Sequence, residues 1–158
     1  MNQLEVKIKK INDKAVIPTY SKEGDAGLDL TTISVDLERC VDGSAVFVYH
    51  TGLSIEIPEG YVGLLFPRSS IVTKSLSLTN AVGVIDSGYR GELMCKFKLN
   101  TISVPSLYSE GERFAQLVII PYPKISLMEV EELSESERGN SGYGSTNIEQ
   151  NEPNEQSV

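Results

Sequence analysis

The chain has 158 residues and a formal net charge of −8 at pH 7, which is enough length for one domain with its own hydrophobic core. The acidic balance excludes the broad basic face that nucleic-acid binding needs, and no apolar run approaches the length of a membrane span. The N-terminal residues lack an apolar signal core, so we expect a cytoplasmic protein in which Cys40 and Cys95 are reduced thiols.

Short runs that are typical of β-strands recur along the chain, with turn signals such as Asp42-Gly43 between them. In chain order they are LEVKIKKI, AVFVYH, LSIEI, YVGLLF, GELMCKFKL, AQLVIIPY and ISLMEV. His50 closes the second run and is interpreted as a strand-end residue. In ELMCKFKL, four apolar residues alternate with polar ones, which predicts one buried face. The pattern predicts an all-β fold, an antiparallel sandwich or barrel.

Only the stretch SSIVTKSL predicts a helix, a short one with Ser69 or Ser70 as its N-cap. From about Ser134 glycine, serine and acids dominate, and little of the sequence can be buried. We therefore expect a folded β-sandwich or β-barrel body, residues 1–133, followed by a flexible glycine-rich acidic arm, residues 134–158.

Five segments combine glycine with polar groups where a strand should end: DAGLDL (25–30), PRSS (67–70), NAVGVIDSGYRGE (80–92), GERFAQL (111–117) and RGNSGYGST (138–146). Each alone is compatible with an ordinary turn, bulge or linker. Together they indicate a polyanion site, because Arg68, Arg113 and Arg138 suit bidentate contacts to oxyanions and glycine-rich loops expose backbone N–H groups. No GK[ST] follows the glycines, so none of them is a Walker loop.

Two carboxylates within these segments suit a nucleoside triphosphate bound with Mg²⁺. Asp86 ends an apolar, strand-like run, and Asp29 lies in the first segment. Because few carboxylates are available, we expect the phosphates to hold the ion and Asp29 to reach it through water. A turn or cap role for Asp29 is an equally simple alternative.

The content and order of the five segments resemble the five motifs of the trimeric deoxyuridine triphosphate nucleotidohydrolases, the dUTPases. AGLDL resembles motif one, PRSS motif two, GVIDSGYRGE motif three, GERFAQL motif four and RGNSGYGST motif five. The resemblance implies a distorted jelly-roll, β-barrel-like fold, and a homotrimer in which the arm crosses to a neighbour and each site is shared. It implies Mg²⁺-assisted hydrolysis of dUTP to dUMP and pyrophosphate, which limits uracil incorporation into DNA and supplies dUMP for dTMP synthesis.

The resemblance also implies residue roles. Asp86 would be the general base for water attack on the α-phosphorus, and the ring of Tyr89 would lie against the deoxyribose and exclude a 2′-hydroxyl. The other positions implied in substrate binding are Arg68, Ser69, Ser70, Asn80, Gly83, Arg113, Gln116, Arg138, Tyr143, Gly144, Ser145 and Thr146. Ser70 is the weaker of the two serine candidates. Two positions depart from the family: Tyr143 replaces the usual phenylalanine that stacks on uracil, and Asn147 replaces a usual glycine.

Other classes of function stay open. A deaminase acting on dCTP, with or without diphosphatase activity, would need a group that activates water at the cytosine C4, and the motifs offer no spare acid or histidine. A non-catalytic module could keep the nucleotide site as a regulatory switch; the full set of catalytic positions favours an enzyme but leaves a second role open. A structural jelly-roll protein would not need phosphate loops. Release of pyrophosphate from dUTP separates these possibilities.

Overall fold

The structure is a computed structural model that describes residues 3–100 and 104–140. The described residues form nine strands and one short 3₁₀ helix, Ser69–Thr73. The strands are β1 (Lys7–Lys10), β2 (Leu28–Thr31), β3 (Ser34–Arg39), β4 (Ala45–Glu56), β5 (Tyr61–Pro67), β6 (Leu76–Leu78), β7 (Gly83–Ile85), β8 (Glu92–Leu99) and β9 (Arg113–Pro121). The all-β prediction is therefore confirmed. No helix in the described part of the chain is long and apolar enough to cross a membrane.

The strands form two sheets with antiparallel pairing throughout. One sheet has the order β1–β4–β8–β6, and β3 pairs with β4 as well; the other has the order β2–β9–β5–β7. Both sheets belong to a compact unit, Met1–Lys124, and Ile125–Val158 forms a second unit. The body and arm boundary at residue 133 stays a prediction.

The hydrophobic core brings together apolar side chains from both sheets. Tyr49 of β4 and Phe114 of β9 stack with their ring centroids 5.3 Å apart, and Phe97 of β8 meets Phe114 edge to face. The predicted alternation of β8 holds for its buried residues, which are Leu93, Cys95 and Phe97. Leu99, at the end of the strand, is 39% exposed.

The second and third predicted runs are joined in one long strand. The pairing of β4 with β8 shifts register between His50 and Ser54, and Gly52 has a φ of 66° inside this irregular stretch. A Cβ on Gly52 would lie 2.6 Å from the Cδ1 atom of Ile33. Glycine is therefore favoured there both by the positive φ and by the lack of space for a side chain. The Thr51-Gly52 pair therefore marks a bulge inside a strand and not the gap between two strands.

His50 lies inside β4, so its interpretation as a strand-end residue is wrong. Its Nε2 atom is 3.2 Å from Oδ2 of Asp36, and its Nδ1 atom is 3.0 Å from Oε2 of Glu92. The other oxygen of Glu92 accepts a hydrogen bond from the backbone N–H of Gly52 at 2.7 Å. The imidazole thus connects β3, β4 and the start of β8.

Two further predictions differ from the structure. The 3₁₀ helix follows Arg68 as its N-cap residue, and no side chain makes a cap hydrogen bond, so the predicted serine caps are wrong. ISLMEV, residues 125–130, forms no strand, and Ile125 is 72% and Leu127 90% exposed. Apolar alternation alone does not form a strand without a neighbouring strand to accept its hydrogen bonds.

The two cysteines are free, and the structure predicts that they differ in reactivity. Cys95 is buried, and burial raises the pKa of its thiol to about 12. It should therefore stay protonated at pH 8, whereas Cys40 is only half-buried. A thiol reagent such as DTNB at pH 8 should modify one thiol per native chain and two in denaturant. Native Cys40→Ser protein should not react; rapid labelling of two native thiols would contradict this packing.

Candidate active site

A buried carboxylate joins three of the five predicted motifs. Asp29, in β2, is 7% exposed, and each of its oxygens accepts a hydrogen bond from a different arginine. Arg68 donates from Nε to Oδ1 at 2.8 Å, and Arg113 donates from Nη1 to Oδ2 at 2.9 Å. Two guanidinium groups share one carboxylate, so the cluster keeps a net positive charge that suits an anion.

The register of the second sheet explains why these groups meet. Strand β9 lies between β2 and β5, with Gln116 opposite Asp29 on one side and opposite Phe66 on the other. A register shift in β2 places Thr31 opposite Arg113. Motifs one, two and four are thus brought to one place by strand pairing, although they are far apart in sequence.

A cleft of about 430 Å³ opens beside this cluster and is lined by Asp29, Arg68 and Gln116, among others. Gly27 also lines it, and a Cβ at that position would lie 3.0 Å from Oε1 of Gln116. Glycine at position 27 therefore leaves room for the Gln116 side chain at the cleft. Arg113 is half exposed, and its Nη1 atom also lies 3.4 Å from the hydroxyl of Ser21.

The two serines of motif two lie in different surroundings. Ser69 is exposed, whereas the Ser70 hydroxyl lies 3.0 Å from the hydroxyl of buried Tyr108. The Lys74 ammonium lies 4.6 Å from the centroid of the Tyr108 ring and donates to the carbonyl of Leu107 at 2.8 Å. Ser70 thus anchors the turn, and Ser69 is the serine available at the surface. Sequence reasoning missed Tyr108, because nothing in its local sequence indicates this tertiary contact.

Asp86 directly follows β7, as the apolar run before it predicted, and is exposed. Its carbonyl accepts a hydrogen bond from the Tyr89 N–H at 3.0 Å, which closes a turn. Its carboxylate makes no hydrogen bond or ion pair to residues 3–100 or 104–140. The carboxylate is therefore placed by the backbone and stays available to water.

Tyr89 is 39% exposed, and its hydroxyl donates to the carbonyl of Glu92 at 3.0 Å. Its ring lies so close to Gly91 that a Cβ at that position would overlap the ring. Gly91 is thus needed for the observed ring position, a role that sequence reasoning missed although the residue lies inside motif three.

The turn that follows β6 crosses from one sheet to the other, because β6 and β7 belong to different sheets. It is tight: Val82 donates to the carbonyl of Asn80 at 2.6 Å, and Ala81 has a φ of 58°. Exposed Asn80 and half-buried Gly83 line a cleft of about 300 Å³. A Cβ on Gly83 would lie 3.1 Å from the Cβ of Leu65.

The candidate residues are thus distributed over separate clefts of the single chain. Motifs one, two and four share the first cleft, and Asn80 and Gly83 line the second. The turn after Asp86 borders a third cleft of about 420 Å³ through Ser87 and Gly88. Arg138 lies in the second unit. Four of the predicted substrate-binding residues lie outside the described residues: Tyr143, Gly144, Ser145 and Thr146. Asn147, which departs from the family pattern, lies outside them as well.

The described residues contain no group of three or more His, Cys, Asp or Glu side chains that could hold a metal ion. Both oxygens of Asp29 are bonded to arginines, and its predicted contact to Mg²⁺ through water stays a prediction.

Comparison with known proteins gives one consistent result. Residues 13–147 match the protein-family model described as dUTPase. The deoxyuridine 5'-triphosphate nucleotidohydrolase of Alkaliphilus metalliredigens is 39% identical, with 90% of this chain and 97% of the relative covered. The protein of the same name from Cutibacterium acnes is 41% identical, with 84% and 86% covered.

Solved structures agree with the sequence comparison. The dUTPase of Staphylococcus bacteriophage 80alpha, solved with dUPNHPP, is similar with a TM-score of 0.75 at 31% identity, covering 90% of this chain and 98% of that one. A mutant dUTPase from phage phi11 of S. aureus, described as showing the coordination of a structural Mg(II) ion, has a TM-score of 0.68 at 28% identity, covering 82% and 98%. The similarity confirms the fold that the five motifs predicted.

The Asp29 ion pair generates a stability prediction. In Asp29→Asn, both guanidinium groups lose the charge that compensates them, and the buried amide can accept only through its single oxygen. We expect the free energy of unfolding in urea to fall by about 1–3 kcal/mol, less than for a fully buried pair because Arg68 and Arg113 are partly exposed. Glu38→Gln, which removes an exposed ion pair with Lys96, should cost less than about 1 kcal/mol. Equal effects of the two substitutions would contradict the role of Asp29.

Proposed function

The chain belongs to the dUTPase family and is a dUTP diphosphatase, and we propose that it hydrolyses dUTP to dUMP and pyrophosphate by attack of water on the α-phosphorus, with Asp86 as general base. The observation that carries the proposal is the pair of guanidinium groups fixed on buried Asp29 beside an open cleft. A triphosphate needs such fixed positive charge before the reaction begins, because charge that is already in place does not have to reorganise in the transition state.

The phosphate chain would bind at this cluster. Arg68 uses Nε for Asp29 and Nη1 for the carbonyl of Arg113, at 3.4 Å, which leaves further N–H donors of its fork unused by the described residues. Arg113 likewise uses only Nη1 among the described contacts. The Gln116 amide, which lines the same cleft, adds a neutral donor, and the exposed hydroxyl of Ser69, next to Arg68 in the chain, would add another.

Two features support Asp86 as the general base. It directly follows a hydrogen-bonded strand, and its carboxylate makes no hydrogen bond or ion pair with the described residues, so it would be free to accept a proton from water. Positioning of that water and neutralisation of phosphate charge would supply most of the barrier reduction.

Selectivity for the nucleoside would come from motif three and the turn before it. The Tyr89 ring, held against Gly91, would lie flat against the deoxyribose and leave no room for a ribose 2′-hydroxyl. The backbone of the turn from Asn80 to Gly83 would pair with uracil and reject cytosine, whose donors and acceptors are reversed.

Mg²⁺ is proposed as the cofactor. The oxygen atoms of Asp29 and Gln116 are donors of the type that Mg²⁺ prefers, but the described residues do not form a complete ligand set. The nucleotide phosphates would therefore hold the ion, with Asp29 reached through water. When bound, the ion would neutralise phosphate charge.

A homotrimer with shared sites is proposed as the working form. The distribution of the candidate residues over separate clefts of one chain supports this, because a second copy could complete each cleft. Residues 134–158 would act as an arm in which Arg138, Tyr143, Gly144, Ser145 and Thr146 close the site. We place the enzyme in the cytoplasm, where it would limit uracil incorporation into DNA and supply dUMP for dTMP synthesis.

The role of Asp86 is tested by Asp86→Asn, which keeps the size of the side chain and removes its basicity. Turnover of dUTP, measured as pyrophosphate release with Mg²⁺, should fall by about 10²–10⁴-fold, while binding of a non-hydrolysable dUTP analogue stays measurable. Asp13→Asn, at an exposed turn, is the matched control and should be fully active. Near-normal turnover by Asp86→Asn would refute the assignment, and ammonia release from dCTP by the unmodified protein would favour a deaminase.

The role of the arm is tested by deletion. Removal of residues 138–158 should leave a folded trimer, as judged by circular dichroism and gel filtration, that hydrolyses dUTP about 10²-fold more slowly. The control is deletion of residues 148–158, which retains all of motif five and should stay close to full activity. Unchanged activity after the longer deletion would show that the arm takes no part in catalysis.

A further inference from the structure

Arg90 lies between the Asp86 turn and β8, and its side chain folds back onto that turn. Its Nη1 atom donates to two backbone carbonyls, that of Ser87 at 2.7 Å and that of Tyr89 at 2.8 Å. Both hydrogens of one guanidinium nitrogen are thus used on the short segment that carries Asp86 and Tyr89. Carbonyls bonded to a charged donor are held more firmly than carbonyls bonded to a neutral one.

The backbone of Arg90 is fixed from the other side. Its carbonyl accepts a hydrogen bond from the hydroxyl of Ser54, a buried residue of β4, at 2.6 Å. Two residues later, Glu92 starts β8 and binds His50 and the Gly52 N–H. The guanidinium therefore extends from a segment that is tied to the central strand of the first sheet.

The remaining contact of Arg90 is weaker. Its Nε atom lies 3.9 Å from Oε2 of Glu56, and both side chains are about half exposed, 52% and 45%. Lys7 pairs with the other oxygen of Glu56 at 2.8 Å. Exposed ion pairs of this kind contribute little, so the two carbonyl contacts are the significant ones.

The turn itself has few other restraints. The Asp86 carboxylate makes no hydrogen bond or ion pair with the described residues, and the hydrogen bond from Tyr89 N–H to the Asp86 carbonyl is the one that closes the turn. We propose that Arg90 is a positioning residue that fixes Asp86 and Tyr89 together, through the carbonyls of Ser87 and Tyr89. The catalytic consequence of this inference rests on the proposed function. The two hydrogen bonds from Arg90 to the carbonyls of Ser87 and Tyr89, called the clamp below, do not depend on that function.

Loss of the clamp should affect two properties at once. Asp86 sets the rate and Tyr89 sets the discrimination against ribose, and a shift of about 1 Å in a catalytic group costs about 10²-fold in rate. Loss of a residue that only stabilised the fold would leave the selectivity of the folded fraction unchanged. Loss of a residue that bound phosphate would instead weaken the binding of a non-hydrolysable analogue. The joint loss of rate and sugar selectivity is therefore specific to a positioning role.

The experiment compares Arg90→Met, Arg90→Lys and the unmodified protein. Arg90→Met removes both donors and keeps an unbranched stem; its kcat for dUTP should fall about 10²-fold, and its preference for dUTP over UTP in kcat/KM should fall about tenfold or more. Binding of the non-hydrolysable analogue should change little. Arg90→Lys keeps the charge and donors one bond closer to the backbone, so it should rescue part of both properties. Arg39→Met, at the exposed end of β3, is the matched control and should not differ from the unmodified protein.

A second readout needs no activity. Hydrogen exchange of the Tyr89 amide, followed by NMR, should be faster in Arg90→Met and Arg90→Lys, while amides within β8 keep their protection. If Arg90→Met does not fold, the kcat, sugar selectivity and Tyr89 amide exchange of Arg90→Lys test the inference instead. Unchanged kcat and selectivity would overturn the inference, as would a loss of kcat with full selectivity and unchanged Tyr89 exchange. If the unmodified protein releases no pyrophosphate from dUTP, the proposed function fails, and Tyr89 exchange still tests the clamp.

Discussion

The contact of one buried carboxylate, Asp29, with two arginines is the interaction on which the proposed phosphate-binding cluster depends. Burial of Asp29 away from water is unfavourable unless its charge is compensated, and Arg68 and Arg113 compensate it from two different strand ends. The same contacts fix the direction of both guanidinium groups before any ligand binds. A buried group that would be costly alone thus becomes the means by which fixed positive charge is kept at an open cleft.

The residues proposed to act on water and sugar are positioned in another way. Asp86 and Tyr89 are exposed, and their positions come from backbone contacts of a short turn, with Arg90 bonded to two of its carbonyls. Tyr89 is restrained further by the carbonyl of Glu92 and by the missing side chain at Gly91. The Asp86 carboxylate is left without a hydrogen bond to the described residues, whereas the Tyr89 hydroxyl is itself bonded, and the backbone of the turn positions both side chains.

Sequence reasoning identified the elements whose signals are local. The alternation of β8 and the apolar run that ends at Asp86 agree with the structure, and the family that the five motifs indicated is the one whose model matches residues 13–147. It failed where a distant contact decides the outcome. Ile33 leaves no space for a side chain at Gly52 in the bulge, the Ser70 hydroxyl is bonded to Tyr108, and neither contact is visible in a local pattern. The partners of His50, on β3 and β8, were missed for the same reason.

The most direct measurement of the account is a crystal structure of the protein with a non-hydrolysable dUTP analogue and Mg²⁺. The account predicts a water molecule within hydrogen-bonding distance of the Asp86 carboxylate, in line with the α-phosphorus and opposite the leaving pyrophosphate. It also predicts phosphate oxygens on Arg68 and Arg113 while both stay bonded to Asp29. An Asp86 side chain that points away from the nucleotide, with no water between them, would contradict it.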